Sequence, residues 1–171
     1  EQRGVQDVAR VAGSALIQRE REVQPKGQDN PVLLRVLVPE GTEILAEEGL
    51  DQLESGLDTL SQRVGPYPYD TLTMVMPPAR ARPAAGMEYP TFITGTIGDP
   101  VFMGTIGQNL DFALGTAAHE LAHQYFYGVV ASNEFEEAYL DEGFTEYWGN
   151  QAALEVTGPI SEAFGRSRSE E

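Results

Sequence analysis

The 171-residue chain contains no cysteine. That excludes disulfide frameworks, thiolate zinc sites, iron–sulfur clusters and cysteine nucleophiles. Basic residues are scarce as well: 11 Lys and Arg stand against 27 Asp and Glu, a formal net charge of −16. A surface that negative repels phosphate backbones and anionic lipid, so nucleic acid is a poor candidate partner, while cations and ammonium-bearing ligands are favoured. No apolar run approaches the length of a membrane span, and the opening EQRGVQDVAR has no signal-peptide pattern. A soluble chain is therefore expected, with no compartment assigned. Against these absences, hydrophobic residues make up 41 % and charged residues 22 %. This suffices for a real core, in one ordinary domain or one piece cut from something larger.

Three parts follow one another along the chain. Residues 1–30 alternate charge and small apolar residues without a firm period, which predicts a lead-in segment ending in the loop Pro25–Asn30. Residues 31–108 read as the sheet-rich part. Val32–Val38 is a β-rich apolar run closed by Pro39-Glu40-Gly41, and Thr71–Met76 is a second one ended by Pro77-Pro78. Between them, Ala46, Leu50, Leu53, Leu57, Leu60 and Val64 recur in steps of four and three, one buried stripe on a helix that Gly65-Pro66 stops. Gly49 and Gly56 interrupt its regularity. The stretch Gly86–Gly107, rich in Thr, Ile, Phe and Gly, suits short strands and turns near a site.

Residues 109–171 read as paired helices. One runs from near Asp111 to Tyr127 with Gly128 as its cap, and another from about Glu136 to Glu155 before Gly158-Pro159. The polar stretch Gly165–Glu171 reads as a frayed or truncated end. Strands first and paired helices second make the fold class α+β.

The only two histidines, His119 and His123, are four residues apart in His119-Glu120-Leu121-Ala122-His123. Four residues is just over one helical turn, so both imidazoles leave one face and can reach one ion. Glu120, one position round, can address a water on that ion without ligating it. Chance would set two histidines in this pattern in only about one chain in a thousand of this composition. A catalytic zinc takes a third protein ligand and leaves its fourth position to water. Glu142 follows after 18 intervening residues, enough for a helix exit, a turn and a return. Asp141 and Glu137 are rival carboxylates, separable only by helix face. Glu146, one turn past Glu142, is placed to accept a proton from a ligating imidazole. Upstream, Gly86 permits a close backbone approach, and an extended Gly86-Met87-Glu88 segment at a sheet edge can pair with a peptide as an added strand. Glu88 would then put a carboxylate where a free amino terminus ends.

His119-Glu120-x-x-His123, the 18-residue gap and Glu142 within Leu140-Asp141-Glu142-Gly143-Phe144 resemble the gluzincin signature of the M1 family of zinc aminopeptidases. Ala85-Gly86-Met87-Glu88-Tyr89 is similar to that family's exopeptidase motif, with Ala85 in place of its first glycine and Tyr89 in place of its usual asparagine. The resemblance implies the amino-terminal part of a thermolysin-like catalytic domain: a small mixed sheet packed on zinc-binding helices. It implies one Zn2+ per chain held by His119, His123 and Glu142, with Glu120 as general base. Gly86, Met87 and Glu88 would bind a peptide substrate with a free amino terminus. In that family a tyrosine well beyond the third ligand steadies the oxyanion, and a helical carboxy-terminal domain closes the cleft. Tyr147 lies only five residues past Glu142, so the role is not carried onto it, and the 171 residues alone are expected to be a poorly active excised subdomain. Two other readings compete: an inactive scaffold that keeps the peptidase fold, and a thermolysin-like endopeptidase. Neither has a use for Glu88.

Overall fold

A computed structural model describes residues 9–13, 15–78, 81, 86–95 and 106–157. The chain start, Ala85, residues 96–105 and the polar end from Gly158 onward lie outside the described residues. Four strands, β1 (Leu16–Val23), β2 (Val32–Pro39), β3 (Thr71–Val75) and β4 (Phe92–Thr94), lie side by side in chain order. β1 is antiparallel to β2, and β2, β3 and β4 run parallel, which makes the sheet mixed. Helix α1 (Glu43–Arg63) is the crossover that parallel pairing of β2 and β3 demands. Helices α2 (Ile106–His123), α3 (Glu134–Ala138) and α4 (Phe144–Thr157) follow, with a π-helical turn at Tyr139–Gly143 between the last two. Among the described residues no helix is long and apolar enough to cross a membrane.

The sheet sits on α1 because both elements are one-sided. On β2, Val32, Leu34, Val36 and Val38 are fully buried and the residues between them only partly so. They share one core with Leu50, Leu53, Leu57 and Leu60 of α1, each worth about 1.5–3 kcal/mol when fully buried. The other side of α1 meets α2 and α4. The two interior glycines are where neighbours come closest. A Cβ at Gly49 would lie 2.7 Å from Met74 Cε, and one at Gly56 only 2.5 Å from Leu121 Cδ2 of α2. Thus α1 stays regular and its glycines set how closely sheet and helices approach it.

Three expectations change. Residues 16–23, expected as lead-in, form the edge strand β1. It shows no apolar alternation because charged residues fill its middle: Arg19 and Arg21 reach Glu47, Asp51 and Glu54 of α1, and Glu20 pairs with Arg35 of β2. Charges on an edge strand discourage pairing with other chains, and exposed pairs of this kind contribute about 0–1 kcal/mol each. The expected single helix from 136 to 155 is instead broken at Glu137, whose φ of −134° and ψ of 47° are not helical. The zinc-motif helix also ends at His123 rather than Tyr127. Gly128 N–H still donates back to His123 O at 2.9 Å.

Candidate metal centre

One turn apart on α2, His119 and His123 bring their Nε2 atoms to 3.2 Å from each other, with the rings edge to face. From the π-helical turn, Glu142 Oε2 reaches 3.2 Å from His119 Nε2 and 3.7 Å from His123 Nε2. A tetrahedral zinc with arms of about 2.0–2.1 Å holds its ligands roughly 3.3–3.4 Å apart. The triangle has the size such an ion requires.

The outer nitrogens decide which way the lone pairs face. His123 Nδ1 donates to the Phe126 carbonyl at 3.2 Å, with Thr145 Oγ1 also at 3.2 Å. His119 Nδ1 faces Glu146 Oε2 at 3.2 Å, and Asn150 Nδ2 donates to the other oxygen of Glu146 at 3.0 Å. A carbonyl and a carboxylate can only accept. A neutral His123 ring therefore carries its proton on Nδ1 and turns a bare Nε2 inward, while His119 has an acceptor on each side, Glu146 at Nδ1 and Glu142 at Nε2. Two ring nitrogens and a carboxylate oxygen crowd together at one point, an arrangement that a cation satisfies. The donor set of two imidazoles and one carboxylate, without sulfur, suits zinc.

The rival carboxylates stand elsewhere. Asp141 is 3 % exposed and sets Oδ1 2.9 Å from His123 Nδ1, on the outer side of the ring and off the N–H axis. This contact is therefore electrostatic, while the Phe126 carbonyl takes the proton. Glu137 is exposed at the helix break. The π-helical turn explains how consecutive residues flank one ring: its wider coil sends Asp141 behind His123 and Glu142 in front. No sequence signal marks that turn, so Asp141 and Thr145 as neighbours of His123 were not foreseen.

Glu120 is 6 % exposed, and among the described residues its Oε2 meets no hydrogen-bond partner. Burial, then the nearby Glu88 and Glu142 carboxylates, raise its pKa to about 8. A cation at the triangle acts in the opposite sense. Glu88, Glu120 and His123 offer ligand atoms within 4.8 Å of one another. Glu88 comes from an outer segment in which Met87 bridges antiparallel to Thr94 of the edge strand β4. Gly86 turns this segment at φ +80°, and a Cβ there would lie 3.0 Å from Glu120 Oε1. Only glycine gives both the left-handed turn and the room for that carboxylate. Tyr147 packs edge-on against Trp148.

Ligands on α2 and on the following elements keep their spacing through one close contact. A Cβ on Gly149 of α4 would lie 2.9 Å from His119 Cα and 3.1 Å from His119 N. Those are backbone atoms, so the helices themselves must part. Gly149→Ala is expected to lower unfolding free energy by about 1–3 kcal/mol and to weaken metal binding, because Glu142 and Glu146 reach across this contact. Urea denaturation and a metal titration, read side by side, check both effects.

Two imidazoles and a carboxylate thus converge beside a second, buried carboxylate. Residues 50–167, more than half of the chain, match the Peptidase family M1 domain, and the chain belongs to that family. Leucine aminopeptidase 2 of Chaetomium globosum is 35 % identical over 98 residues, covering 57 % of this chain and 15 % of that protein. A leukotriene A-4 hydrolase homolog of Botryotinia fuckeliana is 32 % identical over 106 residues, 61 % of this chain and again 15 % of the relative. The chain thus spans about a seventh of the curated relatives it matches. Its fold is that of the M1 zinc metallopeptidase from Deinococcus radiodurans, with a TM-score of 0.59 at 24 % identity, covering 88 % of this chain and 31 % of that one. A mutant of that enzyme bound to a Tyr-Ser-Ala substrate aligns at a TM-score of 0.57.

Proposed function

We propose that this chain carries the zinc centre of an aminopeptidase, which removes residues from the free amino end of a peptide. The observation that carries the reading is the triangle of His119, His123 and Glu142 with Glu120 on one side and Glu88 within reach. Those three side chains would hold zinc. When bound there, it supplies Lewis-acid polarisation of the scissile carbonyl and acidifies water from a pKa of about 15.7 toward about 7.

The protein's own groups do the rest. Glu120 accepts a proton from the attacking water as its oxygen bonds to the carbonyl carbon, then delivers that proton to the departing amine as the C–N bond breaks. Glu146 and the Phe126 carbonyl accept from the outer Nδ1–H groups, which leaves both Nε2 atoms free to face the metal. Glu88 pairs with the substrate's terminal ammonium and so restricts cleavage to the first residue. The relatives named as aminopeptidases support this choice of substrate.

In the full-length zinc-loaded protein, a peptide with a free amino terminus is expected to be cleaved on the order of 10–100 times faster than its acetylated form. That ratio corresponds to one charge-assisted hydrogen bond. Glu88→Ala should bring the two rates together, chiefly through the free-amine substrate. Equal cleavage of both peptides by the parent protein removes the aminopeptidase reading and leaves an endopeptidase.

A further inference from the structure

Gln124 follows His123 on the chain and is completely buried. A buried amide is costly unless its donor and acceptor are both matched. Among the described residues, every partner is backbone of one short segment. Oε1 accepts from Thr91 N–H at 2.7 Å, and Nε2 donates to Tyr89 O at 3.1 Å, with Glu88 O at 3.5 Å.

That segment needs holding. Thr91 has φ 60°, a left-handed conformation that a β-branched residue rarely adopts and that costs on the order of 1–3 kcal/mol. The turn is closed by Phe92 N–H donating to Tyr89 O at 2.9 Å, and Thr73 N–H of β3 donates to Thr91 O at 2.9 Å. The sheet thus grips one side of residues 88–91 and Gln124 grips the other. Without this turn the chain could not reverse so that Met87 pairs back onto Thr94, the arrangement that presents Glu88.

We infer that Gln124 is a positioning residue: its amide sets the spacing between Glu88 and the helix that carries His119 and His123, and thereby sets selection for peptides with a free amino terminus. The inference rests on the reading of Glu88 as the amine anchor. It adds a residue that touches neither metal nor substrate. Misplacing a binding group by about 1 Å costs on the order of 10²-fold, so loss of the amide should be felt in selectivity, while the inward-facing nitrogens keep their own supports.

The test uses Gln124→Leu in the full-length protein, similar in size and without polar atoms, beside Glu88→Ala. Gln124→Leu is expected to keep the parent's zinc content and to cut the ratio of free-amine to acetylated-peptide cleavage by about 10–100-fold, mainly through KM. Hydrogen exchange supplies a readout independent of turnover. The Thr91 amide should be strongly protected in the parent and exchange freely in Gln124→Leu, while the Thr73 amide stays protected. If Gln124→Leu fails to fold, Gln124→Asn, which withdraws the amide by one methylene, should shift both readouts the same way. A parent ratio near one overturns this inference together with the Glu88 reading. A ratio lost in Glu88→Ala but kept in Gln124→Leu, or a Thr91 amide that exchanges freely in the parent, overturns the Gln124 inference alone.

Discussion

Glu120→Gln should retain zinc and lose about 10²–10⁴-fold or more in hydrolysis, the span that general acid–base groups ordinarily supply. Glutamine fills the same slot against Gly86, where a Cβ would already be within 3.0 Å of Oε1, so the neighbouring chain has no reason to move. Glutamine cannot take a proton from water. The metal triangle is untouched because its three contacts run through His119, His123 and Glu142. The decisive comparison is zinc content against turnover for parent and variant under one loading protocol. Loss of zinc from the variant would make Glu120 a ligand or a structural group, and the base would have to be sought elsewhere.

His119→Ala and His123→Ala should each abolish stoichiometric zinc, but they should differ in stability. Zinc binding to the folded protein raises its melting temperature by linkage, and that rise should vanish in both variants. His119 is about a quarter exposed, so its loss removes a ligand and little packing. His123 is 1 % exposed and is the contact of the buried Asp141. Truncating it strands a desolvated carboxylate, at about 1–3 kcal/mol or more, besides leaving a cavity. Metal analysis together with melting curves with and without zinc separates the two effects. Unchanged zinc content in the double variant would sink the ligand assignment.

Much of the centre is local and so was readable from residue order. A four-residue step on a helix puts two side chains on one face whatever the rest of the fold does, and His119 and His123 meet as that step demands. The alternation in β2 and the four-and-three stripe of α1 are local in the same sense, and both elements lie where those patterns placed them. The strand β1 was not readable. Half of its side chains are charged, and it is a strand because the backbone of β2 offers it partners and the acidic face of α1 receives its arginines.

Residue order alone puts two imidazoles on one face, a glutamate beside the first of them, and Glu142 after 18 intervening residues from the second, with Asp141 next to it. Only the tertiary structure decided which carboxylate goes where. Asp141 and Glu142 are chemically alike and adjacent, and the π-helical turn sends one behind His123 and the other in front of it. It also decided that Glu88, more than thirty residues upstream of Gln124, stands beside the helix of the two histidines, through an amide whose partners among the described residues are backbone groups. Backbone groups carry no side-chain identity, so a contact made to them leaves no pattern in the partner's sequence. It exists only once β4, the turn at Thr91 and α2 have packed together.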